Sequence, residues 1–331
     1  MNSPFKSIKK LINQFEHIHI TTHLFPDADG IGSQIALYHG LSLLGKNVIC
    51  INEETLLDRY HYLDMAQCIH SLDHYKKKNL PSKEYQLLIV VDTNTVTRIG
   101  PKMMNHAKNY QHILFLDHHP PVRADDMSIP TTSFIDTSYS STGELAGSLL
   151  ESFDIEFTYP MALPLYTAIM IDTNSFRYPQ VGPRTHELIA KLLKVGVMPA
   201  QAYNQVYGTK KIDHFKLLGE TLQNVQASSD GTIAWIVLSK DLSEKYQSDI
   251  EDTHSFVNYL LTLDQLKVAC FFRETDNGIK LSLRSNGSPD VGELAKILGG
   301  GGHNHSAATI MKGKLDTVIK DTISKISEAL S

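Results

Sequence analysis

The sequence predicts an α/β protein with an N-terminal parallel-sheet domain, covered by helices on both faces, and a smaller α+β domain after it. In the first half, short apolar runs alternate with segments of helical periodicity. The runs 87–91 and 113–116 are apolar without alternation, which is typical of parallel strands covered on both faces. After about residue 195 strand-like runs dominate, and residues 276–278 (Asp-Asn-Gly) between two of them indicate a hairpin.

The elements of the first domain follow from periodicity and from helix-capping signals. An amphipathic helix is predicted within residues 1–16. Ser141 followed by Glu144 is a capping box, which predicts a helix from there to residue 153. Further helices are predicted at 32–46, 160–172 and 185–195, and strands at 17–22, 47–51, 86–92, 112–117 and 133–136.

The second domain is predicted to follow a polar connection at residues 199–213. Its helices are expected at 215–225, 290–298 and 315–330, and its strands at 232–238, 266–273 and 279–285. A length of 331 residues agrees with two domains, since ~150 residues per domain is typical. We therefore place a catalytic domain at 1–195, a linker at 196–215 and a substrate-binding domain at 216–331.

Composition excludes several classes of protein. With 42% apolar and 20% charged residues, the chain is globular rather than disordered. The net charge of -5 is too small and of the wrong sign to hold long nucleic acid by charge, although a short anionic substrate fits. Three cysteines without metal-type or redox spacing indicate a reducing compartment. The apolar stretch 161–171 is far shorter than the ~20 residues that span a bilayer, and the N-terminal helix has no signal-peptide core, so we expect a cytoplasmic protein without a membrane partner.

Carboxylates and imidazoles follow the predicted strands at their carboxyl ends, where ligands bind in sheets of this kind. In the loop after the first strand, Pro26 and Gly30 are expected to prevent a helix, so that the loop can direct its side chains toward one point. A single Asp in such a position is more often a helix cap, but the whole set indicates a metal site. The candidate metal ligands are His23, Asp27, Asp29, Asp92, His118 and Asp172.

Four carboxylates and two imidazoles in one crevice would repel each other unless cations lay among them. Nitrogen mixed with hard oxygen ligands suits Mn²⁺ or a similar first-row ion, and the lack of thiolates argues against structural zinc. One shared carboxylate would allow two ions ~3.5 to 4 Å apart, an arrangement in which activated water attacks a phosphate. Asp117 is expected to orient His118 or His119 rather than to bind metal.

A second group of candidate residues lies in the C-terminal domain. In the strand 279–285, Arg284 alternates with apolar residues and therefore leaves the core face. The glycine run 299–302 then precedes His303, and glycines let backbone N–H groups approach a phosphate. A helix end followed by a flexible turn explains the same glycines about as well. The candidate substrate-binding residues are Arg284, Gly300, Gly301, Gly302 and His303.

These residues resemble a known family. The loop 23–33, Asp92, the triplet 117–119 and the segment around Asp172 resemble the four motifs of the DHH phosphoesterase superfamily. Arg284 with 299–303 resembles the companion DHHA1 domain, so the resemblance covers nearly the whole chain. The members closest in length are similar to NrnA-type enzymes, which are nanoRNases that also act as phosphatases of 3'-phosphoadenosine 5'-phosphate (pAp).

The resemblance implies a role for each matched residue. One Mn²⁺ would be held by His23, Asp27 and Asp92. The other would be held by Asp29, Asp92, His118 and Asp172. His119 would contact the scissile phosphate or protonate the leaving oxygen, with Asp117 beside it, and Arg284 and His303 would bind the remaining phosphate or the terminal nucleotide. Relatives usually have Gly after the fourth-motif Asp-Thr, where this chain has Asn174.

The resulting expectation is a cytoplasmic, Mn²⁺-dependent hydrolase that degrades very short oligoribonucleotides to nucleoside monophosphates, with pAp as a second substrate. The alternatives are a cyclic-di-AMP or pApA phosphodiesterase of the same mechanism and, from another class, a non-catalytic nucleotide sensor. Pyrophosphatase or polyphosphatase action fits the glycine-rich domain less well. The expected partners are short RNA oligonucleotides or small nucleotides such as pAp, and the sequence leaves a homodimer open.

Overall fold

A computed structural model describes residues 4–77, 86–122, 128–208, 210–246, 250–286, 288–302 and 304–330. The chain divides into two compact units, Met1–Gly208 and Thr209–Ser331. The strands of the first unit are β1 (His17–Thr21), β2 (Asn47–Asn52), β3 (Ile69–Ser71), β4 (Leu87–Val91), β5 (His112–Asp117) and β6 (Thr131–Ile135). Its helices are α1 (Lys6–Asn13), α2 (Ala28–Leu43), α3 (Leu72–Lys76), α4 (Pro101–Ala107), α5 (Thr142–Ser152), α6 (Tyr159–Asp172), α7 (Pro183–Lys194) and α8 (Pro199–Tyr207).

The described strands of the first unit form one parallel sheet, in the order β3, β2, β1, β4, β5, β6. Both faces are covered, as the apolar runs predict. Leu87, Ile89 and Val91 of β4 pack into the core that contains α2, α5 and α6. Leu88 and Val90 face the other way, into the core that contains α3 and α4. The predicted α/β fold with a doubly covered parallel sheet is confirmed.

The strand order determines where a ligand can bind. From β1 the sheet continues to β2 and β3 on one side, and to β4, β5 and β6 on the other. The direction of the chain therefore reverses between β1 and β4. At such a reversal the connecting segments diverge and leave a crevice at the carboxyl ends of the strands.

The start of α2 contradicts the sequence-based expectation that Pro26 and Gly30 prevent a helix. The helix begins at Ala28, because the Asp27 carboxylate caps it by accepting hydrogen bonds from the backbone N–H groups of Asp29 and Gly30. A Cβ at Gly30 would lie 2.3 Å from Thr22 Oγ1, so this first helical turn can approach the end of β1 only with glycine there.

Two further elements of the first unit differ from the prediction. The stretch 199–213 is not only a polar connection, because α8 begins at Pro199 and buries Ala202. Pro199 occupies the first turn, where a missing N–H costs no helical hydrogen bond. The prediction also lacked β3, which is only three residues long.

The second unit contains a mixed sheet. Its strands are β7 (Gln226–Ala227), β8 (Ile233–Leu238), β9 (Val268–Thr275), β10 (Gly278–Arg284), β11 (Gly301–Gly302) and β12 (Ser306–Met311). Its helices are α9 (Ile212–Gln223), α10 (Lys240–Lys245), α11 (Phe256–Leu260), α12 (Val291–Ile297) and α13 (Leu315–Leu330). The described strands are ordered β11, β12, β10, β9, β8, β7, with β8 and β9 parallel and the other pairs antiparallel.

The predicted hairpin and the predicted α+β character of this unit are confirmed. Gly278 pairs with Thr275 and has φ +127°, a conformation that favours glycine. Along β10, Ile279, Leu281 and Leu283 are buried and the residues between them are half-buried, so Arg284 lies off the core face. Within the described ranges, none of the helices has the length and apolar character needed to cross a bilayer.

Candidate functional site

All six predicted ligands meet at the carboxyl edge of the parallel sheet. His23 follows β1, Asp92 follows β4 and His118 follows β5, while Asp29 lies in the first turn of α2 and Asp172 at the end of α6. Helices α2 and α6 approach closely at Gly32, which has no Cβ. A Cβ there would lie 2.4 Å from the carbonyl oxygen of Pro164 in α6. We call His23, Asp27, Asp29, Asp92, His118 and Asp172 the ligand cluster.

Within the ligand cluster, the donor atoms form small groups in which all atoms lie within 4.8 Å of one another. One group is His23, Asp27 and Asp92, with 3.4 Å between His23 Nε2 and Asp92 Oδ2. Another is Asp29, His118 and Asp172, with His118 Nε2 3.3 Å from Asp172 Oδ2.

A third group joins Asp92 to His118 and His119, and His119 Nδ1 lies 3.6 Å from Asp92 Oδ1. Asp92 therefore belongs to a group that contains His23 and to a group that contains His118. This shared position is the one that the family resemblance implies for a bridging carboxylate.

The electrostatics of the ligand cluster fit divalent cations. Burial raises the pKa of Asp92 well above its usual range, and the charges of Asp29 and Asp27 add to this effect. Burial also raises the pKa of Asp172, to about 8. Burial acts to lower the pKa of His118, but Asp172 and Asp29 outweigh it and raise that pKa. Divalent ions among these groups would relieve the repulsion, and a donor set of carboxylate oxygens and imidazole nitrogens is one that first-row ions accept.

The start of α5 holds two members of the ligand cluster in place. The backbone N–H groups of Thr142 and Gly143 each donate to a different oxygen of Asp29, at 2.8 Å, and Thr142 Oγ1 donates to Asp92 Oδ1 at 3.2 Å. Donors at a helix N-terminus stabilise a carboxylate. Thr142 and Gly143 were not among the predicted site residues, although the Ser141 cap predicted a helix N-terminus there.

Asp117 contacts the ring of His119, one of the two imidazoles that it is predicted to orient. Its Oδ1 is 2.6 Å from His119 Nδ1, and its Oδ2 accepts a hydrogen bond from Asn94 Nδ2 at 2.7 Å. Burial acts to raise the pKa of Asp117, but the hydrogen bond and the charge of His119 outweigh it and lower that pKa. In the described ranges, Asp117 is in none of the potential metal-binding groups. Asn94 was also missed, although it follows the strand-end Asp92 by two residues.

Unfavourable backbone conformations occur at one member of the ligand cluster and in the segment that follows another. Asp92 has φ +62°, and its N–H is fixed by the carbonyl of Leu116 at 3.1 Å. Asn174, Ser175 and Phe176 have φ of +49°, +60° and +64°. A left-handed residue other than glycine costs roughly 1–2 kcal/mol. Asn tolerates this conformation better than most residues, so Asn174 suits its positive φ.

The candidate substrate-binding residues of the second unit are only partly arranged as expected. Arg284 is half-buried, and its Nη1 donates to the Leu283 carbonyl at 2.9 Å. The N–H of Gly300 donates to the Ala295 carbonyl at 2.8 Å, so it completes the end of α12 and is not directed at a ligand. Gly301 and Gly302 form β11, paired with β12, instead of an open loop. His303 lies outside the described residues.

Comparisons with known families agree with both units. A family model described as "DHH family, N-terminal domain" matches residues 17–171, and the DHHA1 domain model matches residues 233–330. The chain is 26% identical to the bifunctional oligoribonuclease and PAP phosphatase NrnA of Thermus thermophilus, over 95% of this chain and 90% of the relative. It is 28% identical to the protein of the same name from Mycoplasma genitalium, over 95% of each.

Solved structures show the same fold. An exopolyphosphatase-related protein from Bacteroides fragilis superposes with a TM-score of 0.86 at 26% identity, covering 98% of this chain and 95% of that one. RecJ of Thermus thermophilus, solved in complex with Mn²⁺, superposes with a TM-score of 0.52 at 13% identity, covering 98% of this chain and 53% of RecJ. The RecJ similarity concerns the fold alone.

Proposed function

The chain belongs to the DHH family, contains a DHHA1 domain and is a phosphoesterase, and we propose that it degrades very short oligoribonucleotides to nucleoside monophosphates and converts pAp to AMP. The observation that supports this most strongly is the convergence of the ligand cluster on Asp92 at the sheet edge. The names of the NrnA relatives, which match along almost the whole chain, support the same two activities.

The proposal includes two divalent ions, with Mn²⁺ as the first candidate. His23, Asp27 and Asp92 would hold one ion. Asp29, Asp92, His118 and Asp172 would hold the other, which makes Asp92 the shared ligand. When bound, such a pair holds the phosphate and lowers the pKa of water enough to make it a nucleophile near neutral pH.

The protein's own acid in the proposed reaction is His119. Asp117 fixes the orientation of the imidazole through Nδ1, and the lowered pKa of Asp117 keeps its carboxylate charged. With Nδ1–H donated to Asp117, the ring acts as an acid only when Nε2 is protonated as well, and this second proton would go to the leaving oxygen of the ester. Asn94 holds the second oxygen of Asp117 and so prevents that carboxylate from turning toward the ligand cluster.

The expected substrates are short because the protein carries a net negative charge. A net charge of -5 does not favour binding to a long polyanion, whereas a substrate with one or two phosphates needs only the metal ions and a few basic residues. Arg284 of the second unit remains a candidate for one of these residues.

The test is a substrate panel with the purified full chain and added Mn²⁺. We expect AMP from both the 5'-phosphorylated dinucleotide pApA and pAp, and essentially none with Asp92→Asn. Asp58→Asn, which changes an exposed carboxylate at the start of the 3₁₀ helix Asp58–Tyr60, is the matched control and should behave like the wild type. Turnover of cyclic-di-AMP far above that of pApA, pAp and generic dinucleotides would favour the phosphodiesterase alternative. No turnover of any substrate with Mn²⁺, Mg²⁺ or Co²⁺ would contradict the proposal and leave a nucleotide sensor.

A further inference from the structure

Arg98 lies beside the ligand cluster but is not one of its members. It belongs to the short 3₁₀ helix Val96–Ile99, which follows β4 and Asp92. Its backbone carbonyl accepts a hydrogen bond of 2.7 Å from the N–H of Leu24, the neighbour of His23. This bond ties the loop after β1 to the loop after β4, and Arg98 stands where they meet, at the crevice created by the strand order.

The guanidinium of Arg98 is an exposed cation next to an acidic site. In the part of the chain that the structure describes, no carboxylate forms an ion pair with it. Its backbone is fixed to the residue next to His23, so the side chain starts at the rim of the ligand cluster. An exposed cation held beside the ligand cluster without a carboxylate partner is suited to an incoming anion.

The charges of the proposed substrates indicate which anion this is. The four carboxylates of the ligand cluster contribute four negative charges, which two divalent ions would balance. The phosphate to be cleaved would contact those ions directly. Any second phosphate needs a cation outside the ligand cluster, and the planar guanidinium of arginine binds phosphate oxygens in pairs.

The two proposed substrates share one such phosphate. In pAp and in pApA, water adds to the phosphorus, the bond to the 3'-oxygen breaks, and a proton goes to that oxygen. In both cases the leaving group is a nucleoside that has a 5'-phosphate. We propose that Arg98 binds this uncleaved 5'-phosphate and thereby makes the enzyme selective for 5'-phosphorylated substrates. The inference rests on the proposed function, and it gives Arg98 a role that the family resemblance gave to Arg284.

The test uses pairs of substrates that differ only in the 5'-phosphate: pAp with adenosine 3'-monophosphate, and pApA with ApA. For Arg98→Gln we expect kcat/KM to fall about 10- to 100-fold on pAp and pApA, the range of a charge-assisted hydrogen bond, with little change on the unphosphorylated partners. Arg98→Lys should retain part of the preference. The matched control is Lys102→Gln, since Lys102 is an exposed cation on α4 that faces Glu54 and Asp73.

Several outcomes would overturn the inference. The inference would be wrong if Arg98→Gln left kcat/KM unchanged for every substrate. It would also be wrong if Arg98→Gln lowered kcat/KM equally for both members of each pair. Loss of the 5'-phosphate preference in Arg284→Gln but not in Arg98→Gln would assign that phosphate to the second unit. Calorimetric binding of AMP and adenosine in the presence of Mn²⁺ separates this inference from the proposed function. If the wild type cleaves none of the four substrates, the proposed function fails, and weaker binding of AMP alone by Arg98→Gln still supports the role of Arg98.

Discussion

Replacing Gly143 with alanine tests whether the start of α5 positions the ligand cluster. A Cβ at this position would lie 2.6 Å from Ala168 Cβ on α6 and 3.2 Å from Asp29 Oδ1. The methyl of Ala168 cannot rotate away, so α5 must shift, and with it the two N–H groups that hold the Asp29 carboxylate. Overpacking of this kind costs about 1–3 kcal/mol, and a better helix propensity returns less than about 1 kcal/mol in the first turn of a helix.

The control for this substitution is Gly147→Ala, one turn later in the same helix. Its Cβ would lie 2.8 Å from Leu188 Cδ2, the end of a flexible side chain, and its three nearest atoms belong to Leu188 and Leu165 rather than to the ligand cluster. Urea denaturation should show a loss of stability of about 1–2 kcal/mol for Gly143→Ala and a smaller change for Gly147→Ala. Calorimetric titration with Mn²⁺ should show weakened binding only for Gly143→Ala. Wild-type Mn²⁺ affinity and stability in Gly143→Ala would mean that the start of α5 does not position the Asp29 carboxylate.

Three further predictions concern catalysis, metal and pH. Asp117→Asn should lower kcat by about 100-fold or more, because the imidazole of His119 loses its charged partner. The Mn²⁺ affinity measured by calorimetry should stay near that of the wild type, because no metal ligand is removed. A parallel loss of Mn²⁺ binding would contradict the orienting role of Asp117. Removing metal with a chelator should abolish turnover. It should also lower the melting temperature, since ligands that bind only the folded state stabilise it. Added Mn²⁺ should restore turnover and melting temperature in the wild type but not in Asp92→Asn. Burial lowers the pKa of His19 from 6.5 to about 3, so between these two pH values the imidazole is neutral in the folded protein and takes up a proton on unfolding. The free energy of unfolding should therefore fall as the pH drops from 6.5 toward 3. His19→Gln should flatten this pH dependence in urea denaturation, and an unchanged slope would exclude His19 as its source.

The strand-end residues could be predicted because they follow signals that are local in sequence. Asp92 comes directly after five buried apolar residues, and His118 comes directly after β5. Parallel strands bring their carboxyl ends to one edge, so a correct fold class already places these side chains together. How α2 and α6 pack so that Asp29 and Asp172 come together could not be predicted, because local sequence signals do not specify helix packing.

The errors arose where a local rule met a competing interaction. Pro26 and Gly30 favour a loop, but the Asp27 cap and the close approach to Thr22 impose a helical turn. The support of Asp29 by Thr142 was missed because more than a hundred residues separate them, and only the packed sheet and helices bring them together. For Gly300, the sequence left open a helix end or a phosphate contact, and its N–H serves the helix end.

The most direct test of the proposed metal centre is anomalous diffraction from crystals of the full chain loaded with Mn²⁺. We expect two anomalous peaks about 3.5–4 Å apart at the carboxyl edge of the parallel sheet, with Asp92 coordinating both ions. His23 and Asp27 should coordinate one ion, and Asp29, His118 and Asp172 the other. A single ion, or ions held by other residues with Asp92 turned away, would contradict it.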